Sequence, residues 1–261
     1  MYSIERKSEI LEILERTGSV DVTLLAEKFG TSRETVRRDL RELEIDGALK
    51  RTHGGAVLNK ANDLSPSPEY PVAIRGIQRF AEKEQICRKA ASFIQDGDTI
   101  FIDNSSTMLH LAQYIPKDMN LTIITNSIKF LLEIVKYPSP NHALICLGGV
   151  LKESNLSLHG NICLKSAEEY FPDKVFISCA GISQRNMLAD ASIQEINIKR
   201  YMIGHAEKVF VLADYTKFER SGSIFLTGFD SIDYIITDSK TDMSKLDYLH
   251  NSSIALISAN S

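Results

Sequence analysis

The 261-residue chain has no apolar run near the ~20 residues that a membrane-spanning helix needs. Its opening Met-Tyr-Ser-Ile-Glu-Arg-Lys-Ser-Glu is charged where a secretion signal would be apolar, so a cytoplasmic protein is expected. Cysteine is scarce: Cys87, Cys146, Cys163 and Cys179 have no Cys-x-x-Cys spacing, and three of them stand in or beside apolar runs. That argues against a disulfide framework or a zinc site and for reduced, buried thiols. The six histidines form no ligand pattern either, and no metal or other cofactor is expected. No internal repeat is visible. Positive charge is not in excess, with a net charge of −4 and a pI near 5.9. This balance disfavours a protein that coats nucleic acid electrostatically. It leaves room for one that concentrates its cations on a single helix and binds with strong salt dependence. A hydrophobic content of 43% suffices for a sizeable core, in one large domain or in a small and a medium one.

The most sharply sorted stretch runs from Thr31 to Arg51. Thr31 with Glu34 fits a capping box, Ser32 is an alternative N-cap, and Gly47 fits a C-terminal stop. At a helical period Val36, Leu40 and Leu43 share one stripe, while Glu34, Arg37, Arg38 and Arg41 fall on the other side. Such a helix suits the DNA major groove, where guanidinium groups read guanine edges or hold phosphates. It also suits a solvated surface helix in which Glu34, Asp39, Glu42 and Glu44 pair with the arginines.

The flanking residues favour DNA. Ile4 to Arg16 reads as an amphipathic helix ending at Gly18, and Val22, Leu25, Ala26 and Phe29 mark a short second helix. Gly30-Thr31 then turns into the basic helix, giving a helix-turn-helix over about 20–39. Beyond it, Ala48 to His53 and Ala56 to Leu58 read as two strands around Gly54-Gly55, a wing that sets Lys50, Arg51 and His53 beside a duplex.

Ser32-Arg33-Glu34-Thr35-Val36-Arg37-Arg38-Asp39-Leu40, followed by Arg51-Thr52-His53-Gly54-Gly55-Ala56, resembles the opening domain of the bacterial DeoR family of transcriptional regulators. The resemblance implies double-stranded operator DNA as a partner. Its contacts would be Ser32, Arg33, Thr35, Arg37, Arg38 and Arg41 on the helix, with Arg51 and His53 on the wing. The expected winged domain covers 3–58 and a linker 59–74, the prolines of Asn59 to Pro71 marking an exposed hinge.

From there the chain alternates apolar runs (99–103, 121–125, 143–147, 174–178, 209–213, 234–237 and 254–257) with helical patterns such as 82–95, 127–136 and 192–205. Near-continuous apolar runs separated by helices predict an open, mostly parallel α/β sheet covered on both faces. This domain is expected over 75–240, with a helix and strand in 241–261 completing it. Small, hydroxyl-bearing or acidic residues follow the runs at Asp103 to Thr107, Thr125 to Ser127, Gly148-Gly149, Ala180-Gly181 and Ala213-Asp214. Open α/β sheets place their ligand crevice at these strand ends. Ser105-Ser106-Thr107 before a helix can hold a phosphate, or can merely cap the helix of Met108 to Tyr114.

This half also resembles the sugar-phosphate-sensing domain of the DeoR family, which is similar to the Rossmann-like fold of ribose-5-phosphate isomerases. The residues that carry it are Arg75, Glu82-Lys83, Asp98 to Asp103, Thr125 to Ser127, Leu147 to Gly149, Ser157 to Gly160, Glu195 with Lys199-Arg200, and Asp214 with Lys217-Phe218. The resemblance implies a phosphorylated sugar bound by Lys83, Asp103, Ser105, Ser106, Thr107, Asn126, Gly149, Gly160, Glu195, Lys199 and Lys217. Lysines neutralise phosphate, carboxylates accept from sugar hydroxyls, and glycines admit a close backbone approach. The chain departs from the family pattern at Ser105 and Met187, where glycine is usual, and at Ala180, where a carboxylate is usual.

The function expected is a repressor of a carbohydrate-metabolism operon, controlled by a phosphorylated sugar and working as a homodimer or homotetramer, without enzymatic chemistry. The alternative is a sugar-phosphate isomerase with an accessory DNA-binding domain and Glu195 as a lone base.

Overall fold

A computed structural model describes residues 2–58, 72–185, 187–250 and 252–260 of the chain. The hinge expected over 59–71 lies outside the described residues.

The N-terminal unit is built from α1 (Ser3–Thr17), β1 (Ser19–Asp21), α2 (Val22–Phe29), α3 (Arg33–Ile45), β2 (Leu49–Thr52), β3 (Gly55–Leu58) and α4 (Val72–Ile77). Val36, Leu40 and Leu43 of α3 bury against Ile10, Leu11 and Leu14 of α1 and Leu25 and Ala26 of α2, which is the stripe read from the sequence. Asp21 caps α2, its carboxylate accepting from the Thr23 and Leu24 amides at 2.7 and 3.0 Å. At α3 the cap is Ser32, whose Oγ accepts from the Thr35 amide at 3.1 Å, so the second of the two N-cap readings is the one adopted. The wing has a third strand that the sequence did not suggest: the sheet order is β1-β3-β2, all antiparallel. A Cβ on Gly55 would stand 2.0 Å from the Val20 carbonyl oxygen, so only glycine lets β3 close on β1.

The two compact units divide between Ala81 and Glu82, beyond the boundary expected at 75. The reason is local. Ile74 of α4 is fully buried in the helix-turn-helix core, and Arg79 pairs with Glu12 and Glu15 of α1 at 3.3 and 2.9 Å.

The second unit follows as α5 (Phe80–Ala91), β4 (Thr99–Ile102), α6 (Met108–Leu111), β5 (Leu121–Thr125), α7 (Ile128–Ile134), β6 (His142–Cys146), β7 (Val150–Lys152), β8 (Ser157–His159), α8 (Asn161–Ala167), β9 (Lys174–Ile177), β10 (Gly181–Ser183), β11 (Met187–Asp190), α9 (Ile193–His205), β12 (Lys208–Leu212), β13 (Ile224–Thr227), β14 (Tyr234–Thr237), α10 (Asp247–His250) and β15 (Ala255–Ser258). Seven strands form one parallel sheet of order β15-β14-β12-β9-β4-β5-β6. They are the seven apolar runs, within a residue or so at each end. Alternate residues feed two cores: Ile100 and Ile102 of β4 pack with α5, α6 and α7, while Phe101 packs with α8 and α9 on the other face. Two smaller features had no apolar run to announce them, the β7–β8 hairpin and an antiparallel sheet of order β10-β11-β13.

The order of the large sheet reverses direction between β4 and β9. From β4 the chain proceeds outward through β5 and β6, then returns to β9 and proceeds the other way. This switch point is where an open α/β sheet leaves a crevice beyond the carboxyl ends of its strands. No helix among the described residues is long and apolar enough to cross a membrane.

Candidate DNA-binding face and sensor site

Three of the four acidic residues of α3 take cationic partners from outside the helix. Asp39, wholly buried, accepts from Arg6 of α1, Nε to Oδ2 at 2.5 Å and Nη2 to Oδ1 at 3.0 Å. That hydrogen-bonded carboxylate holds the Arg6 guanidinium above its ordinary pKa, against the opposing effect of burial. Glu42 pairs with Lys7, and Glu44 accepts from the Arg51 backbone amide and pairs with its guanidinium at 2.7 Å. Only Glu34 meets an α3 arginine, lying 3.6 Å from Arg37.

Arg33, Arg38 and Arg41 are therefore exposed and take no ion pair among the described residues. Lys50 and His53 of the wing are exposed as well. Four of the expected DNA contacts have partners inside the unit: Ser32 Oγ serves as the cap and lies 2.9 Å from Thr35 Oγ1, Arg37 lies by Glu34, and Arg51 is held by Glu44. Missing from the sequence reading was the Arg6–Asp39 pair. Asp39 stands three residues after Val36 and four before Leu43, on the buried stripe, and that spacing was the available signal.

In the second unit the expected sensor residues gather at the carboxyl ends of β4, β5, β9 and β12. Asp103, fully buried after β4, accepts from the Ser105 amide at 2.8 Å and, across the switch point, from the Ser178 amide at 3.0 Å. Lys199 of α9 reaches the same carboxylate at 2.9 Å, Asp190 at 2.7 Å and the Ser178 carbonyl at 3.0 Å. These three acceptors match the three N–H donors of an ammonium. Lys199 is thus not the surface lysine of a plain solvated helix. It is a buried cation that ties β4, β9 and β11 together. Desolvation opposes its charge, but Asp103 and Asp190 overcome it and hold the pKa above the usual lysine value.

One helical turn earlier, Glu195 accepts from Asn104 at 2.6 Å, Asn155 at 3.0 Å, Lys152 at 3.1 Å and the Ser157 hydroxyl. Burial pushes this carboxyl up, yet the hydrogen bonds from Ser157 and Asn155 and the charge of Lys152 bring it down to about 2. Glu195 thereby binds the β7–β8 hairpin to the end of β4. Lys152 and Asn155 were not singled out from the sequence, because hairpin register is a long-range property.

Lys83 of α5 donates to Ser106 Oγ at 3.2 Å, and the Thr107 carbonyl accepts from the Cys87 thiol. The helix after Ser105 to Thr107 is a single turn, and Thr107 makes no side-chain cap, so neither the capping role nor a long-helix phosphate site is realised there. Asn126 donates to the Leu158 carbonyl at 2.9 Å, while its Oδ1 and the Ser105 Oγ are buried without a partner. Asp214 lies after β12; burial raises its carboxyl, but Lys217 and Lys83 hold it below the ordinary range. Lys217 is half-buried and forms no ion pair within 4 Å among the described residues. Cys179, at the end of β9 near Lys217 and Asp214, has its thiol pushed by burial up to about 12.

Two expected ligand glycines also have backbone roles. Gly149 has φ +136°, and a Cβ there would stand 2.6 Å from the His159 carbonyl oxygen, so its smallness lets β7 meet β8. Gly160, at φ +89°, precedes α8 beside Val150.

A winged helix-turn-helix with an unneutralised arginine face, joined in one chain to a parallel α/β unit with a polar constellation at its switch point, defines a transcriptional regulator with a sensing domain. Residues 6–62 match the DeoR-like helix-turn-helix domain and residues 78–239 the DeoR C terminal sensor domain. The chain belongs to the DeoR family of transcriptional regulators. It is 32% identical over 97% of its length, and 96% of the relative, to the uncharacterized HTH-type transcriptional regulator YulB of Bacillus subtilis. Identity is 31% to the HTH-type transcriptional repressor GlcR of the same organism, over 98% of this chain and 96% of that one. It is 28% to the glycerol-3-phosphate regulon repressor of Escherichia coli, over 98% and 99%. Among solved structures, ribose 5 phosphate isomerase A from Neisseria gonorrhoeae overlays 52% of each chain at 16% identity and a TM-score of 0.38, too low to bear on fold or activity.

Proposed function

We propose that this protein represses an operon of carbohydrate metabolism, binding double-stranded operator DNA through α3 and the wing as a homodimer or homotetramer, and that a phosphorylated sugar at the strand ends of the second unit changes its operator affinity by linkage. The observation that carries the DNA half is the arginine face. Of the acids that could neutralise it, Asp39, Glu42 and Glu44 are engaged by Arg6, Lys7 and Arg51 and Glu34 by Arg37, leaving Arg33, Arg38 and Arg41 for phosphates or guanine edges.

For the effector half, Ser105 Oγ and Asn126 Oδ1 supply polar atoms without protein partners, and Lys217 supplies a cation. Lys199 and Glu195 act one step back by fixing the loops that carry these groups. The name of the Escherichia coli relative supports a phosphate ester as the class of effector.

The isomerase alternative draws less support. A general base works best with a pKa near the operating pH, and Glu195, at about 2 with donors from four side chains, is a weak one. The test is operator binding by the wild type and by Arg33→Ala, Arg38→Ala and Arg41→Ala, each with and without phosphorylated sugars.

A further inference from the structure

Among the described residues the parallel sheet ends at β6, whose outer side has no neighbouring strand. The bonds from the Leu121 amide to the Asn141 carbonyl and from the Leu147 amide to the Thr125 carbonyl fix which backbone groups face β5. In a parallel ladder the alternation then turns the N–H and C=O of His142, Leu144 and Cys146 outward. Proteins guard such edges with lysine, proline or a bulge. Here the whole stretch 137–151 between Lys136 and Lys152 carries no Asp, Glu, Lys or Arg, and both of its prolines precede the strand.

The side chains around this edge are apolar and exposed on both sheet faces. Leu132 of α7, which packs on β6, and Val135 just after that helix are exposed; Val150 and Leu151 follow the strand; and Ile162 of α8 lies over Gly148. With Leu144 they are 39–67% exposed. They offer a contiguous apolar surface on the order of several hundred Å² on each copy, against the ~800 Å² that a standard interface takes from each partner. At the opposite edge, Leu256 and Ile257 of β15 are half-buried.

We propose that β6 pairs antiparallel with β6 of a second copy across a two-fold axis through Leu144, joining the two sheets. The occupant is a second copy because the surface is self-complementary. An uncharged strand meets itself without repulsion, and the outward residues 142, 144 and 146 face 146, 144 and 142 of the partner, so every outward donor meets an acceptor. This rests on the reading that the protein acts as a homo-oligomer and names the contact that makes it one.

The test measures the mass of the full-length protein by light scattering at tens of micromolar. Leu144→Lys, which sets two like charges at the axis, and Leu144→Pro, which removes an outward donor, should each halve the mass with the far-ultraviolet circular dichroism unchanged. Ala255→Lys on the opposite edge should leave the mass alone. Whether or not those variants fold, Leu144→Cys in a Cys146→Ser background should form a disulfide-linked dimer with oxidised glutathione, the thiols being oxidised and the glutathione reduced. Paired Cα atoms there would be ~5.5 Å apart, within disulfide reach. A monomeric wild type would overturn both this pairing and the oligomer reading. An oligomeric wild type whose mass survives both Leu144 substitutions, with no cross-link at position 144, would overturn the pairing alone.

Discussion

Replacing Lys199 by methionine keeps most of the side chain's apolar stem and removes its charge. Lys199 is 5% exposed and its ammonium lies within a shell of Asp103, Asp190 and the Ser178 carbonyl, so the substitution strands two carboxylates, one of them fully buried. Removing one partner of a buried ion pair costs about 3–5 kcal/mol, because the remaining charge is left uncompensated. For a unit of this size that lowers the melting temperature by roughly 6–20 °C. Asp190→Asn should recover part of the loss in the double variant. In the wild type the raised Lys199 pKa means its contribution is fully present below the unfolded lysine value of ~10.4 and is lost only above it. Scanning calorimetry of wild type and variant between pH 5 and pH 9 measures all of this. A change within about 0.5 kcal/mol, the scale of a surface substitution, would refute the buried-cation role. A stable variant that binds operator but ignores effector would instead restore Lys199 as a direct phosphate ligand.

Glu195, at about 2 against an ordinary 4.5, should contribute about 3 kcal/mol that is present above pH ~4.5 and lost as the pH falls toward 2. Chemical unfolding at pH 7 and pH 3 should show the stability gap between wild type and Glu195→Gln narrowing on acidification; a gap independent of pH would contradict the assignment. Asp39→Ala should destabilise the winged unit by about 3–5 kcal/mol by leaving Arg6 buried and unpaired, with the double variant Arg6→Met/Asp39→Met recovering much of it. Thermal unfolding that leaves Asp39→Ala at wild-type stability would count against that account.

The arginine face and the seven-stranded sheet were legible because each is written in a period: Val36, Leu40 and Leu43 at the helical one, and the strand runs in unbroken apolar stretches. The roles of Asp39 and Lys199 were obscured by residue type. Charged side chains invite a surface or ligand reading, although Asp39 lies on the stripe of Val36 and Leu43, and Lys199 falls three residues from both Ile196 and Met202. A helical wheel places both inside, and burial then demands the partners found at Arg6, Asp103 and Asp190. Lys152, Asn155 and the three-residue strands β7, β8 and β10 had no such signal. Their positions depend on which distant backbone they pair with, and short strands without an apolar run carry little period.

The most direct test of the central claim is the salt dependence of operator binding, using a duplex selected from a random pool and the full-length protein. Each of Arg33→Ala, Arg38→Ala and Arg41→Ala should weaken binding with the fold intact. A phosphate contact should lower affinity evenly across sequences and shrink the salt slope by about one, whereas a guanine contact should cost ~1–3 kcal/mol and relax one operator position. Wild-type affinity and salt slope in all three variants would contradict the assignment of α3 as the helix that reads DNA.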